Sequence, residues 1–322
     1  MGLYDRFDRR IDYLRVAITD RCNLRCFYCM PENGIELKPH EDLLSYEEIQ
    51  RFAEAAVEAG ISKIRLTGGE PLIRKDAVSL VKMLAATPGL SDMSLTTNGL
   101  LLPEYGDALK EAGLRRVNIS IDSLDPETYQ KLTRYGNIER SIAGMKKALS
   151  LGFKAVKINT VLIRGINDDP EDFIKLIYNY PVHVRFIELM PISKWDPNLY
   201  VSIDELKAKL EDYGLIGPVE GPVGAGPAKY FGFKGALGTV GFISPISNHF
   251  CGGCNRLRLT PDGKLRPCLF SDIEFDIKSI LRDNVSKEEI ILVIRDVLNS
   301  KPEKHEAGKL EKLKRLMCQI GG

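Results

Sequence analysis

Residues 19–29 have the sequence Thr-Asp-Arg-Cys-Asn-Leu-Arg-Cys-Phe-Tyr-Cys, which places cysteines at positions 22, 26 and 29. The spacing C-x3-C-x2-C provides three thiolates, one fewer than a four-coordinate metal centre needs. An iron-sulfur cube held by three cysteines keeps one iron open to an exogenous ligand. The stretch therefore predicts that Cys22, Cys26 and Cys29 hold a cluster at whose open iron small-molecule chemistry takes place.

Two other uses of these cysteines are a disulfide framework and a zinc site. A disulfide framework fits poorly, because the chain of 322 residues is too long to need cross-links and its seven cysteines are an odd number. The first residues also lack the basic and apolar regions of a secretory leader. Zinc takes thiolates too, but structural zinc sites usually close with four ligands at C-x2-C pairs. Zinc remains the alternative to the cluster.

The composition is that of a soluble globular protein, with 44% hydrophobic residues and a formal net charge of +1. No segment approaches the apolar run that a membrane helix needs, so we expect no membrane partner. The near-neutral charge gives no electrostatic footprint for nucleic acid, so we expect no such partner either. The cysteines indicate a reducing, cytoplasmic setting.

A strand-like run followed by a helical run recurs six times between residue 11 and about residue 213. The predicted strands are residues 13–19, 63–67, 93–97, 116–122, 155–161 and 183–189, and helical runs between them include residues 46–59, 76–86, 103–112, 138–149 and 170–178. This alternation predicts a parallel α/β sheet with right-handed crossovers.

Alternate residues within these strands form one apolar and one polar set, which point to opposite faces of the sheet. The polar set includes Lys63, Arg65 and Thr67; Ser94, Thr96 and Asn98; Asn118, Ser120 and Asp122; and Lys157 and Asn159. A complete eight-stranded barrel has an apolar interior, and a doubly wound sheet is apolar on both faces. We therefore predict a partly open barrel of six strand-helix units, a (β/α)6 barrel, with the polar set lining its lumen. Arg15, Arg65 and Lys157 in that lumen indicate an anionic ligand, because buried cations need compensation.

Residues 1–213 form this predicted barrel domain, and residues 214–227 are so rich in glycine and proline that they indicate a connector. Residues 228–322 form a smaller predicted C-terminal domain. It contains the second cysteine group, a helical stretch over residues 287–298 and a basic segment that ends in Gly321-Gly322.

The second group consists of Cys251 and Cys254, separated by two glycines, and Cys268 after thirteen further residues. His249 and Cys318 are the candidate fourth ligands if this group closes around zinc. Arg256 and Arg258 alternate in the strand-like run 255–259, so both guanidinium groups lie on one face beside the metal. Such forked donors suit phosphate oxygens, and the alternative is a solvated polar strand face.

Two motifs together resemble the radical S-adenosylmethionine (SAM) superfamily: the cysteine spacing with Tyr28 before its last cysteine, and Gly68-Gly69-Glu70-Pro71 after the second strand. The resemblance implies that the open iron binds the methionine part of SAM, whose reductive cleavage releases a 5′-deoxyadenosyl radical. It further implies cofactor contacts from Tyr28, Gly69, Ser120 and Met190.

Together with the distal C-x2-C-x13-C and the terminal Gly-Gly, these motifs resemble the branch of that family that cyclises GTP to (8S)-3′,8-cyclo-7,8-dihydroguanosine 5′-triphosphate. This is the first step of molybdenum cofactor biosynthesis, in which the radical abstracts the ribose 3′ hydrogen. The resemblance implies two 4Fe–4S clusters, the second of which binds guanine, and a catalytic contribution from Gly321 and Gly322. The positions that it implies for GTP contacts are Arg15, Arg65, Thr96, Lys157, Arg256 and Arg258.

We also consider three further interactions: with an external low-potential electron donor, with a second copy of the chain in a homodimer, and with the next enzyme of the pathway, which would receive the product. One rival hypothesis is a peptide-modifying radical SAM enzyme with an auxiliary cluster, although such enzymes commonly have more distal cysteines. The other is a non-catalytic metal-stabilised binding module. We treat Cys318 as a bystander, because the three cysteines of each group already account for the predicted clusters.

Overall fold

The computed structural model of the protein describes residues 2–193, 195–224, 226–283, 285–305 and 313–321. Its strands are β1 (Tyr13–Ala17), β2 (Lys63–Thr67), β3 (Asp92–Thr97), β4 (Arg116–Ser120), β5 (Val156–Leu162), β6 (His183–Glu188), β7 (Leu215–Pro218), β8 (Lys229–Phe233), β9 (Thr239–Ile243), β10 (Arg256–Leu259), β11 (Lys264–Arg266) and β12 (Phe275–Asp276). Its α-helices are α1 (Tyr46–Ala59), α2 (Ala77–Ala85), α3 (Leu102–Glu111), α4 (Pro126–Thr133), α5 (Ile138–Ser150), α6 (Glu171–Asn179), α7 (Ile203–Asp212), α8 (Ile277–Arg282), α9 (Lys287–Asn299) and α10 (Met317–Ile320). Within these ranges no helix has both the length and the apolar character to cross a bilayer.

One sheet contains all of these strands, in the order β12-β11-β10-β1-β2-β3-β4-β5-β6-β9-β8-β7. Strands β1 to β6 pair in parallel in sequence order. The C-terminal part of the chain extends the sheet at both edges, because β10 pairs in parallel with β1 and β9 pairs in parallel with β6. The predicted α/β fold, a partly open (β/α)6 barrel with a smaller C-terminal part, is confirmed.

The sheet curves, because side chains of strands far apart in its order line the same cavity. Arg15 and Arg65 on β1 and β2 share one cavity with Arg185 on β6 and Ile243 on β9. The outer face is apolar: Ile64, Leu66, Val117, Ile119 and Ile158 are buried in one hydrophobic core with Phe52 of α1 and Leu80 of α2. The inner, polar face is also shielded from solvent, so its charges are desolvated.

Local sequence explains the helix boundaries. Ser45 and Glu48 form a reciprocal capping box at the start of α1, and Gly60 ends that helix with φ of +129°. The predicted strands and helices of the barrel agree with the observed ones to within two residues at each end. The sequence analysis assigned no element to residues 126–133 or 203–212, which form α4 and α7. Strand β7 lies inside the region interpreted as a connector.

The fully buried Glu188, at the end of β6, joins three parts of the fold. Its carboxylate accepts hydrogen bonds from the backbone N–H of Ile203 at the start of α7 (3.1 Å), Ile246 (2.9 Å) and Ser247 (3.0 Å). The Ser247 hydroxyl donates to it as well. One side chain therefore fixes the loop after β9 against the barrel.

Replacement of Glu188 by Ala should lower the free energy of unfolding by about 3 kcal/mol, because several buried backbone donors lose their acceptor. Urea unfolding followed by circular dichroism measures this loss. Glu171→Ala, which removes an exposed carboxylate beside Lys175 on α6, is the control and should change stability little. A Glu188→Ala variant as stable as the control would contradict this role.

Candidate active site

Cys22, Cys26 and Cys29 lie in the loop that follows β1, and all three line a first cavity of ≈ 170 Å³. The backbone N–H groups of Cys29 and Met30 donate to the Cys26 carbonyl at 2.9 and 3.0 Å, which turns the chain between the second and third cysteine. The backbone N–H of Leu24 donates to the Cys22 sulfur at 3.3 Å. The structure therefore brings together the three thiols that the sequence spacing predicts as one ligand set.

Gly68, Gly69 and Glu70 of the loop 68–71 also line the first cavity. Gly69 donates its backbone N–H to the Thr19 carbonyl at 2.8 Å, so this loop lies directly against the start of the cysteine loop. A Cβ on Gly69 would lie 2.1 Å from the Arg21 carbonyl oxygen, which no side chain tolerates. The close approach of two backbones requires glycine here.

Glu70, which the sequence analysis passed over, fixes this loop to the end of β3. Its buried carboxylate accepts from the Leu72 N–H at 3.0 Å, the Thr97 hydroxyl at 2.8 Å and the Asn98 N–H at 2.7 Å. Burial raises the pKa of Glu70 to about 7, although these hydrogen bonds lower it. The Glu70 carboxyl therefore contributes to the electrostatic potential at the first cavity, which it lines.

The predicted cofactor contacts Tyr28, Gly69, Ser120 and Met190 all line the first cavity. The Tyr28 hydroxyl donates to Asp122 at 2.7 Å, which orients its ring. Thr96, which the sequence analysis assigned to the nucleotide substrate, also lies on this cavity, and its hydroxyl has no hydrogen-bond partner among the described residues. The lining of the first cavity therefore suits a cofactor that carries polar groups.

The three proximal thiols hold their protons strongly. Burial and the neighbouring Glu70 raise the pKa of Cys22 to about 12. Burial and Asp122 raise the pKa of Cys26, and a hydrogen bond to Cys318 together with burial raises that of Cys29. Bonding to iron supplies the positive charge that such thiols need to become thiolates.

The C-terminal segment enters the first cavity. Met317 and Cys318 of α10 line it, and the backbone N–H of Met317 donates to the Ser193 hydroxyl at 2.9 Å. The buried Cys318 thiol contacts that of Cys29, so Cys318 belongs to the proximal cysteine group rather than standing apart from it. The sequence analysis treated Cys318 as a bystander, because its place depends on where the tail docks.

Gly321 lies deeper in the lumen, where its carbonyl accepts from Arg258 at 2.6 Å. Its φ is +80°, and a Cβ there would lie 2.6 Å from the Thr67 methyl group. Both facts explain why glycine occupies this position. Gly322, the second predicted tail residue, lies outside the described residues.

A second cavity of ≈ 160 Å³ is lined by Cys251, Cys254 and Cys268 and by the cationic residues of the lumen. Strand register places Arg15 beside Arg65 on one side and beside Arg258 on the other, so three arginines form a row across neighbouring strands. We call Arg15, Arg65 and Arg258 the arginine row. Like charges side by side destabilise a sheet, so the row needs an anion.

The electrostatics of the second cavity are those of a crowded, desolvated set of cations. Burial and neighbouring cations lower the pKa values of Arg15 and Arg65, and lower that of Arg258 to about 10. Neither Arg65 nor Arg258 forms an ion pair with a carboxylate of the described residues. A polyphosphate supplies the missing charge in the geometry that guanidinium groups prefer.

Arg185 and Tyr13 belong to the second cavity too, although the sequence analysis did not select them. Arg185 donates to the Asn118 side-chain oxygen at 2.7 Å, and the buried Tyr13 hydroxyl has no hydrogen-bond partner among the described residues. Each continues the alternating polar pattern of its strand, which is the signal that would have found them.

The predicted Lys157 lies in a cleft that adjoins the second cavity at Gly226 and is also lined by Pro218, Pro222 and Tyr230. Its ammonium donates to the Val223 carbonyl at 2.9 Å. Burial, followed by Arg185 and Arg116, lowers the pKa of Lys157 to about 6. A nearby anion would favour the charged form of Lys157 and so raise its pKa again.

The distal cysteines Cys251, Cys254 and Cys268 offer three thiols to one cavity. Of the two candidate fourth ligands for zinc, Cys318 contacts Cys29 of the proximal group. His249 stays near the distal group, because its ring packs against His305, which lines the second cavity. Among the described residues, no three His, Cys, Asp or Glu side chains are grouped closely enough to hold one metal ion. A cluster binds its cysteines through separate irons and so accepts wider spacing. Burial raises the pKa of Cys254, but Lys301 and Arg256 lower it to about 7.

The two cavities meet at Asn159, Ile187 and Met190, which line both of them. We call these three residues the shared wall. Its position means that a ligand in one cavity lies next to a ligand in the other. Such an arrangement suits the transfer of an atom between two bound molecules.

Residues 16–177 match the Radical SAM superfamily, and residues 182–307 match the family described as Molybdenum Cofactor Synthesis C. The chain is 50% identical over 323 residues to the GTP 3′,8-cyclase of Moorella thermoacetica, which covers 99% of this chain and 100% of the relative. It is 48% identical over 324 residues to the GTP 3′,8-cyclase of Alkaliphilus metalliredigens, with 99% of both chains covered.

Among solved structures, the chain is similar to SuiB of Streptococcus suis bound to S-adenosylmethionine, with a TM-score of 0.63 and 14% identity. That similarity covers 98% of this chain and 79% of the other. A radical SAM methyltransferase from Sphaerobacter thermophilus has a TM-score of 0.51 and 21% identity over 63% of each chain. At these identities the likeness shows the fold alone.

Replacement of Gly69 by Ala should weaken SAM binding about 100-fold, because the added Cβ pushes two backbones apart at the first cavity. Equilibrium binding of SAM to the anaerobically reconstituted protein measures the effect. Gly217→Ala, which adds a Cβ where no atom lies within 4 Å, is the control. Equal SAM affinity in the two variants would count against the position of this loop in the cofactor site.

Proposed function

The chain belongs to the GTP 3′,8-cyclase family of the radical SAM superfamily, and we propose that its two cysteine groups hold two 4Fe–4S clusters on either side of the shared wall. The enzyme converts GTP to (8S)-3′,8-cyclo-7,8-dihydroguanosine 5′-triphosphate, the first step of molybdenum cofactor biosynthesis. SAM and a 4Fe–4S cluster supply the 5′-deoxyadenosyl radical that abstracts the ribose 3′ hydrogen.

The observation that carries the proposal is the adjacency of two cavities that differ in their chemistry. One is lined by three thiols and by the polar groups expected around SAM, and the other by three thiols and the arginine row. Hydrogen abstraction requires the donor and acceptor carbons to be in contact. The shared wall is where a ribose from one side and an adenosyl group from the other would meet.

In the first cavity, Cys22, Cys26 and Cys29 are the proposed cluster ligands. Tyr28, Gly69, Ser120 and Met190 are the proposed SAM contacts, because all four line this cavity. Met190 lies on both cavities, so it would contact the cofactor at the side that faces the substrate. The backbone of Gly69 offers polar groups at close range, because no side chain shields them.

In the second cavity, Cys251, Cys254 and Cys268 are the proposed ligands of the second cluster. The arginine row and Arg256 would bind the triphosphate. Lys157, which lines the adjoining cleft, would bind it as well. Among the proposed GTP contacts, Thr96 differs in lining the first cavity rather than the second. A substrate that contacts it would therefore extend past the shared wall. These cations would hold the nucleotide by charge, while the second cluster holds its base.

The C-terminal Gly321 and Gly322 are proposed to assist catalysis. The contact between the Gly321 carbonyl and Arg258 links the tail to the arginine row. A substrate phosphate that recruits Arg258 would compete with that carbonyl. The tail therefore has a direct means to respond to the occupancy of the second cavity.

We also propose a cytoplasmic location, because a reducing compartment preserves seven thiols. The reaction needs an external low-potential electron donor, since one electron must enter for each SAM cleaved. Homodimerisation and hand-over of the product to the next enzyme complete the proposed partners. The rival peptide-modifying activity has less support, since a peptide has no use for the arginine row.

The proposed reaction is tested by anaerobic reconstitution with iron and sulfide, followed by incubation with SAM, a strong reductant and GTP. Mass spectrometry should detect 5′-deoxyadenosine together with the cyclised nucleotide. Cys26→Ser should form neither, because the first cluster loses a ligand. Arg256→Ala should still form deoxyadenosine without substrate but should lose most GTP turnover, whereas Arg295→Ala, an exposed control on α9, should match the wild type.

Deoxyadenosine with unchanged GTP in the wild type would retain radical SAM chemistry but reject GTP as the substrate. Equal loss of substrate-independent SAM cleavage in Arg256→Ala and Cys26→Ser would reject the role of Arg256 in nucleotide binding. Zinc in place of iron, with neither product formed, would favour the non-catalytic binding module.

GTP binding at pH 8 should take up a proton at Lys157. The pKa of this group is lowered to about 6 by burial and by Arg185 and Arg116, so it is mostly neutral at pH 8 without an anion. A triphosphate favours the ammonium form, which raises that pKa again. Affinity should therefore fall as the pH rises above 6, and uptake should vanish near pH 5, where Lys157 is already protonated.

Calorimetric titration of GTP in two buffers of different ionisation enthalpy measures this proton uptake. Lys157→Met should abolish it, and Lys154→Met, which removes an exposed ammonium nearby, should retain it. Undiminished uptake in Lys157→Met would assign the proton to another group.

A further inference from the structure

Lys301, just beyond the end of α9, is only 2% exposed. Its ammonium donates to the Arg256 carbonyl at 2.9 Å and to the Pro267 carbonyl at 2.7 Å, and it also hydrogen-bonds the Cys254 sulfur. An ammonium has three N–H donors, and these three acceptors use all of them. The side chain is therefore held in one position beside the distal cysteines.

The two carbonyl acceptors belong to chain segments that carry cluster ligands. Arg256 follows Cys254 by two residues, and Pro267 immediately precedes Cys268. Most of strands β10 and β11, with the loop between them, separates these two segments in sequence. Lys301 therefore bridges them. Removal of the ammonium would leave both buried carbonyls without this donor.

The residues after Lys301 complete the contacts with the third distal cysteine. The backbone N–H of His305 donates to the Cys251 sulfur. Arg9 donates to the carbonyls of Cys251, Pro302 and Glu303, at distances of 2.9, 2.7 and 2.8 Å respectively. The short segment 301–305 thus contacts each of the three chain segments that carry the distal thiols.

Burial lowers the pKa of Lys301, and the groups that favour its charged form are sulfurs rather than carboxylates. Lys301 forms no ion pair with an acid of the described residues, and its attractive electrostatic partners are Cys254 and Cys268. An isolated buried ammonium is costly, so this cation fits a site whose thiolates are bonded to metal. The proximal group differs, because carboxylates as well as cations lie near its thiols: Glu70 and Arg25 near Cys22, and Asp122 and Arg134 near Cys26.

We propose that Lys301 is a positioning residue of the second cluster, which holds Cys254 and Cys268 in place and raises the reduction potential of that cluster. The inference rests on the proposed function, since it requires a second cluster. Hydrogen bonds to cysteine sulfur and nearby positive charge both favour the reduced, more negative form of a cluster.

The test uses Lys301→Met, which removes the charge and keeps the length of the side chain. Iron and sulfide are counted first, and an anaerobic redox titration followed by electron paramagnetic resonance then gives the midpoint potentials. A background in which Cys22, Cys26 and Cys29 are replaced by Ala isolates the second cluster. Lys304→Met, an exposed lysine of the same segment, is the matched control.

We expect the reduced-to-oxidised ratio of the second cluster at a fixed potential to fall at least tenfold in Lys301→Met, which is 59 mV for a one-electron couple. The first cluster should be unchanged in the full chain, and Lys304→Met should leave both unchanged. An unaltered second-cluster potential in Lys301→Met would overturn the inference. Iron for only one cluster in the wild type would instead overturn the proposed two-cluster function.

If Lys301→Met does not retain the second cluster, Lys301→Gln and Lys301→Arg decide the matter. Gln keeps hydrogen-bond donors without the charge, and Arg keeps the charge. Two results together support the role of the cation. Lys301→Arg retains the second cluster at near the wild-type potential, and Lys301→Gln lowers that potential or loses the cluster. Loss from all three variants, or an unchanged potential in Gln, overturns it.

Discussion

The arginine row is the constraint on which the rest of the site depends. Parallel pairing sets Arg15 between Arg65 and Arg258 at adjacent positions, and burial of all three side chains removes most of the water that would otherwise screen them. Such an arrangement costs stability, and the apolar core between the sheet and its helices offsets that cost. Affinity for a polyanion is therefore a property of the sheet itself, not of a flexible loop added to it.

The same strand pairing determines where the two cysteine groups lie. β1 leads into the proximal cysteine loop, and its neighbour β10 follows directly after Cys254. At the other edge, β6 ends near Met190, which belongs to the shared wall, and pairs with β9. Because rigid strands connect these points, the spacing between the two cavities is fixed before any ligand binds.

The sequence allowed the barrel, its strand boundaries and its polar lumen to be predicted, because hydrophobic period and side-chain parity are local properties. It also allowed both cysteine groups to be predicted as ligand sets from their spacing. The place of Cys318 beside Cys29, the bridge made by Lys301 and the pairing of β10 with β1 could not be predicted in this way. Each depends on contacts between residues far apart in the chain, for which a single sequence has no periodic signal.

The two proposed ligand sites differ in the charged groups near their thiols. Carboxyl groups of Glu70 and Asp122 stand near the proximal thiols, whereas the distal thiols face Lys301 and the arginine row. SAM carries a positive sulfonium and GTP carries a triphosphate. Each ligand placed in the wrong cavity would meet like charges in a desolvated site, where repulsion is strong. In the proposed arrangement, charge would therefore favour SAM in the first cavity and GTP in the second, and the shared wall is where the two ligands would meet.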